Sequence, residues 1–119
     1  MDTQNYVDIM IDSLTKKEEL LKQIVDYNEA QQTIVTAPEF KEEAFEKNVA
    51  DKGEVVEKIL RLDEGFNSVF NRIKEELQNN KKKYAKDIER LKTLVASVTD
   101  LGVRIQAQEL RNKQLVEKR

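Results

Sequence analysis

The stretch FEKNVADKGEVVEKILRLDEGFNSVFNRIKEEL, residues 45–77, decides the fold. Within it Phe45, Val49, Lys52, Val56, Ile59, Asp63, Phe66, Phe70, Ile73 and Leu77 follow one another at alternating steps of four and three. A repeat of about 3.5 residues keeps one face of a helix turned toward a neighbouring helix along its whole length. Only Lys52 and Asp63 are polar on this seam. Asp63, beside Arg61 and Gly65, reads as a local break or a register device. Gly53 and Gly65 lie off the seam, and each weakens the helix by about 1 kcal/mol relative to alanine.

Upstream, Val35-Thr36-Ala37-Pro38-Glu39-Phe40 holds the only proline. The residue before a proline is pushed out of the helical region, so a turn is expected here. Thr36 and Glu39 have capping-box spacing, and a helix restarts there or a few residues later. Residues 3–35 read as a first helix with Asp2 or Thr3 as N-cap. Val7, Met10, Leu14, Leu21, Ile24 and Val35 share one face of it, and Ile11 and Val25 widen the stripe. Lys17, Asn28 and Gln31 fall on the same seam and weaken it.

Downstream, Gln78-Asn79-Asn80-Lys81-Lys82-Lys83 offers no apolar side chain to bury, and a turn is expected near 79–82. A final helix then covers about 82–117, with Tyr84, Leu91, Leu94, Val98, Leu101, Ile105 and Leu115 on its seam. The expected fold is all-α: one domain over 1–119, an elongated antiparallel three-helix bundle or coiled-coil-like hairpin. Its long helices span about 3–35, 40–79 and 82–117, each roughly 50–57 Å long. An alternative stays open. The second seam continues in phase through Asn80, Tyr84, Asp87 and Leu91, as a continuous helix of about 70 residues in a dimer would.

Composition narrows the chemistry. The 119 residues are 37% charged and 39% hydrophobic, with three glycines and no cysteine, histidine or tryptophan. Disulfides are impossible, and Ser-His-Asp and Cys-His catalysis lack their base. The carboxylate clusters Glu42, Glu43, Glu46 and Glu75, Glu76 lack the Glu-x-x-His motif of helical di-metal sites. They read as solvated faces with lysines nearby. No catalytic residue, metal or cofactor is therefore expected.

Net charge is -2, which argues against a nucleic-acid binder. It is unevenly spread. Residues 1–60 hold 7 Lys/Arg against 14 Asp/Glu, and residues 61–119 hold 14 against 9. That fits helices of opposite charge packing together, or a basic docking face for an acidic partner. The run Lys81-Lys82-Lys83, with Lys86 and Tyr84, reads as a solvated turn, although a nucleic-acid or membrane-surface contact would use the same residues. The polar start, Met1-Asp2-Thr3-Gln4-Asn5, does not resemble a secretory leader. No stretch approaches the roughly 20 apolar residues of a membrane span, so a cytoplasmic protein without membrane insertion is expected.

The last helix is apolar on more than one side. Val103, Ala107 and Leu110 lie about 180° from its seam, with Val95 and Val116 on a flank. Such a helix is either buried on both sides or carries a surface for a partner or a second copy.

The string Ile105-Gln106-Ala107-Gln108-Glu109-Leu110-Arg111-Asn112-Lys113-Gln114-Leu115 resembles the C-terminal motif of the FlgN-type flagellar export chaperones. That family typically ends in Asn-x-x-x-Asn-x-x-Leu. Gln108, Asn112 and Leu115 occupy these positions here, with Gln in place of the first Asn. Lys17-Glu18-Glu19-Leu20-Leu21, Lys52 and Ile59-Leu60-Arg61-Leu62 are similar to the family's upstream helices. The resemblance implies a small cytoplasmic chaperone of type III flagellar secretion. It would bind a helical segment of hook-associated proteins through its C-terminal helix. It assigns partner binding to Gln108, Asn112 and Leu115, and the helical wheel adds Val103, Ala107 and Leu110. The other reading is a structural coiled-coil adaptor or scaffold that self-associates, for instance as a homodimer.

Overall fold

The computed structural model describes residues 2–119, in three helices: α1 (Thr3–Thr36), α2 (Glu42–Asn79) and α3 (Ala85–Glu117). They run up, down and up in a rod of 58 × 21 × 17 Å. The architecture is the all-α elongated bundle that the seams predict. The continuous form of α2 and α3 is not what the chain adopts, because residues 80–84 turn between them. Tyr84 explains the break. It is buried in a cluster with Val7, Met10, Ile73 and Leu77, where a helix running straight on would not place it. The turn lies slightly later than 79–82, and α3 starts at Ala85.

The ends of the helices follow local chemistry. Asp2, and not Thr3, caps α1: its carboxylate accepts the Asn5 backbone N–H at 2.9 Å. This satisfies one of the orphan donors of the first turn. The capping box of Thr36 and Glu39 does not form. Thr36 belongs to α1 and donates its hydroxyl to the Gln32 carbonyl at 2.7 Å, and α2 restarts after Lys41, which makes no side-chain cap. At the other side of this turn the Arg119 guanidinium donates to the carbonyls of Val35 at 3.0 Å and Ala37 at 2.7 Å. It also lies over the Phe40 ring. The end of α3 thus satisfies carbonyls that the end of α1 leaves open.

α1 is the central helix. It packs along both α2 and α3, whose backbones stay apart from each other. The antiparallel register with α2 is visible in the polar pairs. Thr3 meets Glu76, Tyr6 meets Arg72, Lys17 meets Asp63 and Gln31 meets Asn48. The core is segmented along the rod. One apolar cluster surrounds Met10, and a second holds Leu21, Ile24, Val55 and Ile59. Two of the polar breaks in the seams, Lys17 on α1 and Asp63 on α2, pair at 2.7 Å. Asp63 therefore has a partner, as a register device requires.

The seam of α2 needs one correction. Val49, Val56 and Phe70 are exposed, and Asn48 and Val55 are buried in their place, with Val69 half-buried against the first cluster. Phe45, Lys52, Ile59, Phe66 and Ile73 are common to both phases. The chain steps three then four from Phe45, because Asn48 finds polar partners inside the bundle.

The three glycines all lie within helices. A Cβ built on Gly53, Gly65 or Gly102 meets no atom within 4 Å, and none has a positive φ. Alanine at each site is expected to stabilise the fold by about 0.5–1 kcal/mol, by raising helix propensity. Urea unfolding midpoints measure this. An unchanged or lower midpoint for Gly65→Ala would contradict the open packing around it.

Candidate functional site: the two faces of the last helix

α3 carries two faces of opposite character. The inner face runs through Leu94, Val98, Leu101, Ile105, Gln108, Asn112 and Leu115 at steps of three and four. Leu94 is buried, and Val98, Leu101 and Ile105 pack against the second cluster. Its last turns leave the apolar core and enter a polar layer. Asn28 and Gln31 of α1, Asn48 and Lys52 of α2, and Gln108 and Asn112 of α3 meet at one level of the rod.

Each member of this layer has defined partners. The Asn28 amide, 1% exposed, donates to Gln108 Oε1 at 3.2 Å. Its carbonyl oxygen accepts from Lys52 Nζ at 3.0 Å. The Gln108 amide donates to the Val25 backbone carbonyl at 3.2 Å. Asn112 donates to the Asn28 backbone carbonyl and to Gln31 Oε1, both at 3.0 Å. Gln31 donates to Asn48 Oδ1 at 3.2 Å, and Asn48 donates to the Tyr27 carbonyl at 2.9 Å. Lys52, its side chain 13% exposed, also reaches Glu109 at 2.8 Å and bridges α1, α2 and α3. No buried side-chain polar atom among the described residues lacks a partner. A fully satisfied layer costs little stability and fixes the register of the three helices, because any slip strands its amides.

The outer face carries an uncovered apolar stripe among exposed polar residues such as Thr99, Gln106 and Gln114. Val103 is 62% exposed and Leu110 60% exposed, and Ala107 between them is exposed as well. Val95 is exposed on the flank, whereas Val116, partly exposed, turns toward α2 and lines a groove with Phe45, Lys52 and Asn112. Arg104 and Glu29 pair at 3.0 Å at the border between the outer face and α1.

The six residues expected to bind a partner therefore divide. Val103, Ala107 and Leu110 share an exposed stripe. Gln108 and Asn112 are buried, with their amides engaged inside the bundle, and Leu115 is half-buried. A partner reaches the first three on the closed bundle. It reaches Gln108 and Asn112 only if α3 leaves α1. The polar layer is what reading the chain piecewise misses. The signal is present, because 105, 108, 112 and 115 continue the seam of α3, and Asn28 and Gln31 lie on the seam of α1.

The acidic residues Glu42, Glu43 and Glu46 stand exposed at the start of α2. No group of three or more His, Cys, Asp or Glu side chains converges among the described residues, and none of the described helices is long and apolar enough to cross a membrane. Compared with protein families, with curated proteins and with solved structures, the chain shows no match to any.

Proposed function

We propose that this chain is a helix-binding export chaperone of the FlgN type, holding hook-associated proteins in the cytoplasm before type III flagellar secretion. The observation that carries this reading is the exposed stripe of Val103, Ala107 and Leu110, on a helix whose opposite face is already satisfied. α3 needs neither Val103 nor Leu110 for its own packing. A client's amphipathic helix would lay its apolar face along this stripe and be shielded from aggregation. The stripe is narrow, so the contact is reversible, as release at an export gate requires. It involves no covalent chemistry and no cofactor.

A second reading, a self-associating scaffold, draws on Val49, Val56 and Leu60, which α2 exposes. One experiment separates the two. The protein is produced alone and together with individual hook-associated proteins, and the species are sized by light scattering. The chaperone reading expects a monomer alone and a stoichiometric complex with one or two clients. A stable homo-oligomer that ignores every client would overturn it in favour of the scaffold.

A further inference from the structure

The apolar groove between the end of α2 and the start of α3 is a second surface with its own chemistry. It lies at the opposite end of the rod from the polar layer. Because α2 and α3 both pack on α1 and not on each other, they leave a furrow of about 730 Å³ between them. Met10 and Leu77, both buried, form part of its floor, and Phe66, Phe70, Ile88 and Leu91 line its walls. The rings of Phe66 and Phe70 stack with centroids 6.2 Å apart, and Phe70 stands open to solvent.

The rim of this furrow is basic. Lys74, Lys81 and Lys92 line it, against a single carboxylate, Glu89. Lys92 lies 3.8 Å from Glu89, while neither Lys74 nor Lys81 makes an ion pair among the described residues. The nearby carboxylates Glu76 and Asp87 are drawn instead toward α1, where Thr3 and Gln4 donate to them. Lys82, Lys83 and Lys86 extend the positive field beyond the rim.

We infer that this groove seats the apolar face of an acidic amphipathic helix from a partner protein. A fourth helix lying between α2 and α3 completes a four-helix bundle, with its hydrophobic face on Phe66, Phe70, Ile88 and Leu91 and its flanking carboxylates on Lys74, Lys81 and Lys92. The lining of α2 runs from Phe66 to Gln78, so the occupant needs about three turns, roughly 18 Å of helix. A second copy of the chain is a poorer fit. Its acid-rich segment at the start of α2 is interrupted by Lys47, Lys52 and Lys58 and already has α1 packed along one side. The site is independent of the Val103–Leu110 stripe, which lies further along α3.

The probe is a pair of synthetic amphipathic helices with the same leucine face, one flanked by glutamates and the other by lysines. Binding to the whole chain is followed by fluorescence anisotropy. The glutamate peptide is expected to bind at tens of micromolar or tighter, and the lysine peptide at least about tenfold more weakly. Raising the salt from low to high should weaken the glutamate peptide severalfold. Phe70→Asp, and separately Lys74→Glu with Lys81→Glu, should each weaken it about tenfold or more, whereas Gln114→Ala, at an exposed position outside the groove, should leave it unchanged. Phe70 and both lysines are exposed, and circular dichroism checks that the variants stay helical. The inference is overturned if the two peptides bind equally or not at all, or if the groove variants bind like the parent. It is also overturned if the parent is a dimer that Phe70→Asp splits, since the groove's occupant is then a second copy.

Discussion

Replacing Val103 and Leu110 together with aspartate is expected to abolish capture of a hook-associated client, a loss of at least about a hundredfold in affinity. Docking a helix on this stripe would desolvate both carboxylates with no cation waiting for them. The same double substitution is expected to cost the free protein little, about 1 kcal/mol, because both positions already face water and only helix propensity changes. Calorimetric titration with the client segment and a thermal melt of the variant check the two halves. A variant that melts far below the parent would show that the stripe is packing. A variant that still binds at parental affinity would remove the stripe from the function.

The second large effect is on stability. Asn28→Ala is expected to destabilise the fold by about 2–4 kcal/mol, since it withdraws a donor from Gln108 and an acceptor from Lys52 in a place where unmade hydrogen bonds are costly. For a chain of this size that lowers the melting temperature on the order of 10 °C. Gln31→Ala should behave similarly, because Asn48 and Asn112 both bond to its amide. Exposed Gln114→Ala should be silent. If Asn28→Ala melted with the parent, the layer would contribute nothing to holding α3 in register.

The fold was legible because most of the seams are apolar at helical spacing. The turn at Pro38 and the length of each helix leave few ways to arrange them. Two things were not legible, for related reasons. In α2, Val55 and Val56 are adjacent, as are Val69 and Phe70, so apolar periodicity allows two phases. The choice falls to Asn48, a polar residue that apolar periodicity does not count. In α3, Gln108 and Asn112 stand out as polar residues in a motif, and a single sequence does not show that Asn28, Gln31 and Lys52 come to the same level. Each of these residues weakens its own helix's seam. Only the folded chain turns those weak points into a shared layer. The exposed stripe was legible from the wheel of α3 alone, since Val103, Ala107 and Leu110 oppose a seam that is already complete.

In the proposed function a client helix docks on the outer face of α3 while the bundle stays closed. Methyl-labelled protein titrated with a hook-associated client's helical segment tests it most directly. The methyls of Val103, Ala107 and Leu110 should shift or broaden, while those of buried Leu94, Val7 and Ile24 and the side-chain amides of Asn28 and Asn112 hold their positions. No response to any hook-associated client, or a response concentrated in the core and the polar layer, would contradict it.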